Sequence, residues 1–415
     1  MSGDGRLRAA AEVVLYQRAW FDGLRERAAR GDAIALVNAD VPHEILRAFD
    51  IPYVVNQWWS SIIAAKRRGP ASLERLRARG LPDASRQYDA LPLGAQDLPA
   101  DDQPWGGLPN PRFVICERGG DAAHRIFELW GARPGTHAYF LSRTGADPVP
   151  DRWWEIVPHD WERAFGHDRI DLMQRECAEL IGWLEDRTGR PFERDRLCEI
   201  MDLSNEQAEW NRRTRDLIAA ARPTPVAVGD SIPAVMIPQW HRGTEYAVKA
   251  ARRLHDEVAE RIDAGSTVAA NERRRLMWVG RGLWYDVGLY RAFEQSHGAV
   301  FVWSMYLAIA ADGYVRYGPD PLRALAARFV GITDQLYVPP WSSQWYAKEA
   351  QAHGVDGVVH LVADDTPGAA FITAELEDAG IPVLEIRANN ADGRGSDLED
   401  RIRVFLDERV GGETP

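Results

Sequence analysis

Cys116 is the residue best placed for chemistry. It follows an apolar run, Phe113-Val114-Ile115, that reads as a short buried strand. Glu117 and Arg118 come next, and Gly119-Gly120 lets the backbone turn tightly. Asp121 then stands as N-cap to a helix over 122–130, on which Ile126, Phe127 and Trp130 share a face. A thiol between a strand's carboxyl end and a helix N-terminus lies where open α/β sheets bind their ligands, and the helix dipole there favours thiolate over thiol. Such a group can act in proton transfer or bind a metal. A second candidate is Glu44, beside His43 on a short helix over 42–49 with Pro42 in its first turn. It is a potential general acid or base, against the plainer reading of a solvated helix residue. Ser304 closes an apolar run, AVFVW, and with Ser60 and His360 supplies the parts of a nucleophile and base. No GxSxG elbow or fixed spacing joins them.

The elements that must carry these residues alternate in type. One amphipathic helix is expected over 5–30. Strands follow at 33–38 and 51–55, the second ending on Asn56-Gln57-Trp58-Trp59, with a helix over 60–68. Residues 81–111 are rich in Pro, Gly and Asp and read as loop. The Cys116 unit and a strand at 136–141 complete a βαβα series. Two long charged helices, 161–189 and 193–221, change the pattern; a mixed stretch over 229–239 and an amphipathic helix over 244–264 follow. Strands then return at 276–280, 299–303, 357–362 and 381–386. The helices among them are expected over 286–298, 321–331, 343–353, 366–379 and 398–408. Such a series gives parallel, doubly wound sheets. The expected fold is therefore α/β. An N-terminal helix (1–30) precedes a first Rossmann-like lobe (31–150), a helical arm (151–274) and a second lobe (275–415).

With both halves doubly wound, the strand ends face a common cleft. Asn38, Asn56, Gln57, Trp58, Cys116, Glu117, Arg281, Trp284, Tyr285, Trp303, Ser304, Asp364 and Asp365 are expected there. Sixteen tryptophans is a high count, and several fall at strand ends. That points to an aromatic pocket in which Trp58, Trp284 and Trp303 pack a ligand and Asn56 and Glu117 offer polar contacts. Ordinary core tryptophan is the alternative.

Composition narrows the classes. The net charge of -12 over 415 residues, with no Lys/Arg run, argues against a nucleic-acid partner. No apolar run is long enough to span a bilayer, and residues 1–30 are charged throughout, unlike a signal peptide. Three unevenly spaced cysteines form neither a disulfide framework nor a CxxC knuckle, so a reduced cytoplasmic setting is expected, with Cys177 and Cys198 inert inside helices. Gly119-Gly120 makes neither a Walker A loop nor a dinucleotide fingerprint.

The order of elements resembles the 2-hydroxyacyl-CoA dehydratase and benzoyl-CoA reductase family. The likeness is carried by residues 40–55 (DVPHEILRAFDIPYVV), the Cys116 stretch, 197–217 (LCEIMDLSNEQAEWNRRTRDL), 275–299 and 356–386 (DGVVHLVADDTPGAAFITAELEDAGIPVLEI). It spans nearly the whole chain through apolar patterns and spacings. The resemblance implies two related subunits acting on an acyl-CoA or aryl-CoA thioester. It also implies a [4Fe-4S] cluster on three cysteines at strand ends, and an ATP-dependent activator that delivers one electron. Only Cys116 matches a ligand position. The second position falls in Trp303-Ser304-Met305 and the third near Asp364-Asp365-Thr366, where Ser304 or Asp365 would be a hard oxygen substitute for a soft thiolate. Three readings follow: a subunit with an unexpectedly ligated cluster, a cluster-deficient structural partner, or a cluster-free scaffold acting on an acyl-CoA.

Overall fold

In a computed structural model the chain is described over residues 6–81, 87–145, 150–337, 341–363, 368–388 and 397–410. Helix α1 (Arg8–Ala29) leads into β1 (Ala35–Val37), α2 (His43–Ala48), β2 (Tyr53–Val55), α3 (Asn56–Ala65), α4 (Gly69–Ala78), α5 (Gln87–Ala95), β3 (Phe113–Glu117), α6 (Asp121–Gly131) and β4 (His137–Leu141). A helical stretch follows: α7 (Trp153–Ile156), α8 (Trp161–Phe165), α9 (His167–Thr188), α10 (Arg194–Ala220), α11 (Val228–Trp240) and α12 (Glu245–Asp263). The last third holds β5 (Arg274–Val279), α13 (Glu294–His297), β6 (Ala299–Ser304), α14 (Met305–Asp312), α15 (Pro321–Tyr337), α16 (Trp341–His353), β7 (Gly357–Val362), α17 (Ala369–Asp378), β8 (Val383–Arg387) and α18 (Leu398–Glu408).

The strands form two four-stranded sheets, ordered β2-β1-β3-β4 and β6-β5-β7-β8, parallel throughout. The two orders are the same, so the molecule carries two lobes of one α/β doubly wound plan. Central strands are largely apolar because helices cover both faces: β1, β3 and β7 are buried along their full length, Glu117 of β3 and His360 of β7 included.

Several boundaries differ from the sequence expectation for identifiable reasons. Residues 81–111 are not all loop: α5 forms despite Pro92, followed by two single-turn 3-10 helices. The expected helix over 161–189 is split at Gly166, whose φ of 77° a helix cannot hold. The expected helix over 286–298 is a 3-10 turn, Val287–Arg291, and then the four-residue α13. The mixed stretch is the continuous α11, which accommodates Pro233 and Pro238. Helix α4, unforeseen, begins right after α3 with Pro70 in its first turn. Asp364, Asp365 and Thr366, expected at a strand end, lie outside the described residues.

Candidate functional site

Two edge strands run straight into helices without a loop, β2 into α3 and β6 into α14. Their facing helices leave a cavity of about 250 Å³. From α3 come Gln57, Trp58, Ser61 and Ile62, and from α14 Met305, Tyr306 and Ile309. Met236 and Trp240 of α11 close one side, while Tyr88 of α5 and Tyr314 close the others. Arg281 and Trp284 reach in from the turn after β5. Gly280 makes that turn possible. Its φ is +102°, and a Cβ there would stand 2.5 Å from the Leu361 carbonyl oxygen.

Among the described residues the wall is mostly apolar, with six aromatic side chains among aliphatic and thioether ones. Trp284 and Tyr306 lie with ring centroids 5.7 Å apart. Burial pushes the Tyr306 phenol up to about 12 even though the Gly282 N–H and Arg281 favour its ionised form. Tyr314 is likewise raised to about 12 by burial, against the pull of Arg242. Both stay protonated at neutral pH. Tyr306 oxygen accepts from Gly282 N–H at 2.7 Å, which leaves its own proton for another acceptor. The one cation on the wall, among the described residues, is Arg281. Its guanidinium lies 5.4 Å over the Tyr88 ring and 3.7 Å from Asp89 Oδ1. A cation and a phenol donor at one end of an apolar chamber suit a neutral or partly negative oxygen on an otherwise greasy ligand.

The sequence candidates divide. Trp58 and Trp284 line the cavity. Asn56 does not: it sits in the first turn of α3, not on a strand end, and its Nδ2 donates to the Asp89 carbonyl at 2.8 Å. It braces α3 against α5, where Tyr88 O–H donates to the Gln57 carbonyl at 2.9 Å. Trp303 also turns away. One extra residue enters the β5–β6 pairing between Phe301 and Trp303, and a one-residue slip reverses which face a side chain takes. Its indole N–H donates to Glu349 Oε2 at 2.8 Å inside the core. Ser304 ends β6, buried, and does not line the cavity. Glu117 is buried at the end of β3 with Arg143 3.8 Å away.

Cys116 is fully buried within β3, paired with Phe140 of β4. Its thiol donates to the Glu117 carbonyl at 3.1 Å, and Asn38 Nδ2 lies 3.9 Å from the sulfur. Cys177 is buried in α9, and burial drives its thiol far above the ordinary range. Cys198 is half-buried on α10. The three sulfurs thus sit on a strand and two different helices. Among the described residues no three His, Cys, Asp or Glu side chains gather as a metal site. At the end of β6, Met305 and Tyr306 fill the cleft with bulk that donates no thiolate. This donor set does not fit a cluster held by three cysteines.

Glu44 is locked rather than free. Burial alone would raise its carboxyl, but the guanidiniums of Arg242 and Arg328 hold it well below the usual carboxylate range. Arg242 Nε donates to Glu44 Oε1 at 2.6 Å, and Arg328 Nη1 donates to the same oxygen. A carboxylate so held is a poor proton carrier near neutral pH. The residues that sequence reasoning missed, Tyr88, Trp240, Met236 and Tyr306, come from α5, α11 and α14. The first two helices were not expected, and Tyr306 was legible only as the residue two past a strand end.

Among the described residues, no helix is long and apolar enough to cross a membrane. Over 249–258 residues the chain is similar to two characterised relatives. It is 24% identical to the (R)-phenyllactyl-CoA dehydratase alpha subunit of Clostridium sporogenes over 258 residues, 61% of this chain and 59% of the relative. It is 21% identical to the (R)-2-hydroxyisocaproyl-CoA dehydratase alpha subunit of Clostridioides difficile over 249 residues, 58% of this chain and 60% of the relative. The likeness therefore spans less than two thirds of either relative. The family model for the 2-hydroxyglutaryl-CoA dehydratase D-component matches residues 38–408, from the end of β1 to the end of α18, and the chain belongs to that family.

Proposed function

We propose that this chain is a subunit of a 2-hydroxyacyl-CoA dehydratase-like complex, that it holds the acyl or aryl group of a CoA thioester between its two lobes, and that it does so without a cluster of its own. The observation that carries the reading is the cavity between α3 and α14. An apolar cavity of about 150 Å³ accommodates benzene, so one of about 250 Å³ has room for an aryl or branched acyl group but not for the nucleotide. Trp58, Trp284 and Met305 would pack that group. Arg281 and the Tyr306 hydroxyl would take the thioester carbonyl. Cys116, sealed in the interior strand β3, would serve packing, and Glu44 would fix α2 rather than move a proton. Electron transfer, with its cluster and ATP-dependent activator, would then belong to a related partner subunit rich in cysteine. The names of the two relatives, both alpha subunits of acyl-CoA dehydratases, support the reading of this chain as one subunit of such a complex.

Two measurements test it. Titration of the purified protein with aromatic CoA thioesters is expected to quench tryptophan fluorescence saturably. A signal that stays flat to millimolar concentration overturns the pocket assignment. Anaerobically purified chain is expected to be colourless and free of iron and sulfide, and to copurify with a cysteine-rich homologue when the two are expressed together. A brown protein with stoichiometric iron and sulfide would sink the cluster-free part. A second reading is favoured by the Arg281 and Tyr306 donors: the chain could polarise an acyl-CoA carbonyl itself. Turnover of a thioester by the isolated chain would select that reading over a partner-dependent one.

A further inference from the structure

Trp105 stands in the connection between α5 and β3 with φ 53° and ψ 26°, a left-handed backbone that a bulky side chain rarely takes. Gly106 and Gly107 follow with φ of 79° and 86°, so three left-handed residues run in succession. Glycine adopts that conformation freely. Tryptophan does not, and it persists there only where its surroundings over-determine it. Two arginines of α1 hold it in place. Arg25 Nη1 donates to the Trp105 carbonyl at 3.1 Å, and the Arg18 guanidinium lies 5.0 Å over the ring. The partly buried indole packs on three further rings, with centroids 5.6 Å from Phe21, 6.0 Å from Trp58 and 6.1 Å from Trp59. All three distances lie in the range that aromatic pairs prefer.

We propose that Trp105 is a positioning residue: its ring keeps the Trp58 indole pressed toward the acyl cavity and so sets the size of the acyl group that the cavity takes. Trp58 lines that cavity, and Trp105 does not, so Trp105 meets a part of Trp58 that a ligand cannot reach. Among the described residues the other rings against Trp58 are Trp20 at 6.0 Å, Phe21 at 5.9 Å and Trp59 at 5.7 Å. Those three ride on α1 and α3, whose backbones are fixed by their own helical hydrogen bonds. Trp105 alone comes from a connection. A glycine or asparagine would make the same turn without strain but would bring no ring to Trp58. Loss of the ring would leave a gap into which its neighbours relax only in part. Phe21 and Trp59 are 0% and 1% exposed and packed in the core. Trp58 has the open cavity on its other side, so it is the neighbour free to move. The placement of Trp58 follows from this packing alone; its consequence for acyl selectivity rests on the acyl-CoA reading.

Trp105→Asn tests it, because asparagine tolerates the left-handed backbone and removes the ring. Calorimetric titration of parent and variant with phenylacetyl-CoA and with the bulkier naphthylacetyl-CoA gives a ratio of affinities for each protein. The variant is expected to lose about three- to tenfold for the phenyl ligand and to lose less, or gain, for the naphthyl one. Equal losses for both would be the mark of a merely structural ring and overturn the proposal. Crystal structures of parent and variant supply a reading that needs no ligand: Trp58 is expected to turn or shift into the space the indole leaves. An unmoved Trp58 overturns the proposal even where the parent binds both thioesters. A displaced Trp58 in a chain whose parent binds neither thioester upholds the positioning role and sinks the acyl-CoA reading instead. Should Trp105→Asn not fold, Trp105→Phe keeps a smaller ring on the same backbone. It is expected to shift Trp58 and the ratio in the same directions by less, about twofold for the ratio, and no movement of either goes against the proposal.

Discussion

The two strand-to-helix junctions that make the acyl cavity have the same backbone plan and opposite chemistry. At β2–α3 the chain reads Asn56-Gln57-Trp58-Trp59-Ser60-Ser61; at β6–α14 it reads Met305-Tyr306-Leu307-Ala308-Ile309. The first junction faces the cleft with an amide, a hydroxyl and an indole, the second with a thioether, a phenol and an aliphatic chain. Each is anchored differently. The first is held by buried polar bonds, Asn56 to Asp89 and Tyr88 to Gln57. The second is held by apolar packing around β6 and by one bond from Gly282 to Tyr306. Repeating a fold twice in one chain thus yields a pocket with a polar wall and an apolar wall, a combination suited to a ligand with an oxygenated carbon on one side and a hydrocarbon on the other.

The largest effect is expected behind the polar wall. Glu44→Ala leaves Arg242 and Arg328 buried without their shared carboxylate, and losing one partner of such a group costs about 3–5 kcal/mol. Urea unfolding should register that loss, and a change below about 1 kcal/mol would show that the cluster is not a stabilising anchor. Acid should next separate the lobes. His360 of β7 is lowered to about 4 by burial, although Glu385 pulls the other way, and His241 beside α11 is lowered to about 3 by burial with Arg47 adding to it. Both folded values lie below the unfolded value of about 6.5. The unfolded chain therefore binds more protons as pH falls from about 6.5, and stability present above that pH is lost on the way down to about 4. By pH 4 each histidine should contribute about 3 kcal/mol to the loss. Replacing His360 with Gln should flatten the profile from the second lobe, and replacing His241 with Gln from the other side of the cleft. A profile unchanged by either variant would rule out histidine protonation as its cause.

Trp284→Ala probes the second lobe's contribution to the aromatic lining. Its ring is partly buried against Tyr306, and aromatic packing of that kind is worth about 2 kcal/mol with its area included, about 30-fold in affinity. Calorimetric titration with an aryl-CoA should show that drop with little change in unfolding midpoint. Equal affinities for parent and variant would place the acyl group elsewhere.

Much of this architecture was readable in the sequence because its central strands are short apolar runs bounded by polar residues and glycine. Both sheets, the position of Cys116 on β3 and the placing of Trp58 and Trp284 in the cleft follow from that pattern. What was not readable turned on tertiary detail. Pro92, Pro233 and Pro238 suppress the helical signal of α5 and α11, yet packing carries both helices through them. The insertion opposite Leu276 and Met277 leaves no mark in composition, so Trp303 was expected in the pocket and lies in the core. The tryptophans split the same way. Trp58, Trp240 and Trp284 line the cavity, while Trp59, Trp130, Trp153, Trp278, Trp341 and Trp345 are fully buried. The partners of Glu44 lie 198 and 284 residues away, beyond any local pattern.

The smallest effect is also the one that asks most of the contrast between the walls. Ser61 stands on the polar wall, but its hydroxyl proton is already committed to the Trp58 carbonyl at 2.6 Å. What remains for a ligand is a lone pair, which can accept from a donor such as a 2-hydroxyl and has nothing to offer an acyl group without one. Ser61→Ala should therefore weaken a 2-hydroxyacyl-CoA by about 0.5–1.5 kcal/mol, roughly two- to tenfold, and leave the corresponding enoyl-CoA almost unchanged. The informative quantity is the difference between the two ligands measured on the same variant, because any general loosening of α3 would lower both affinities together. Equal losses would mean that the polar wall holds the helix and does not read the substrate, and the hydroxyl would then have to face Arg281 and Tyr306 on the opposite side.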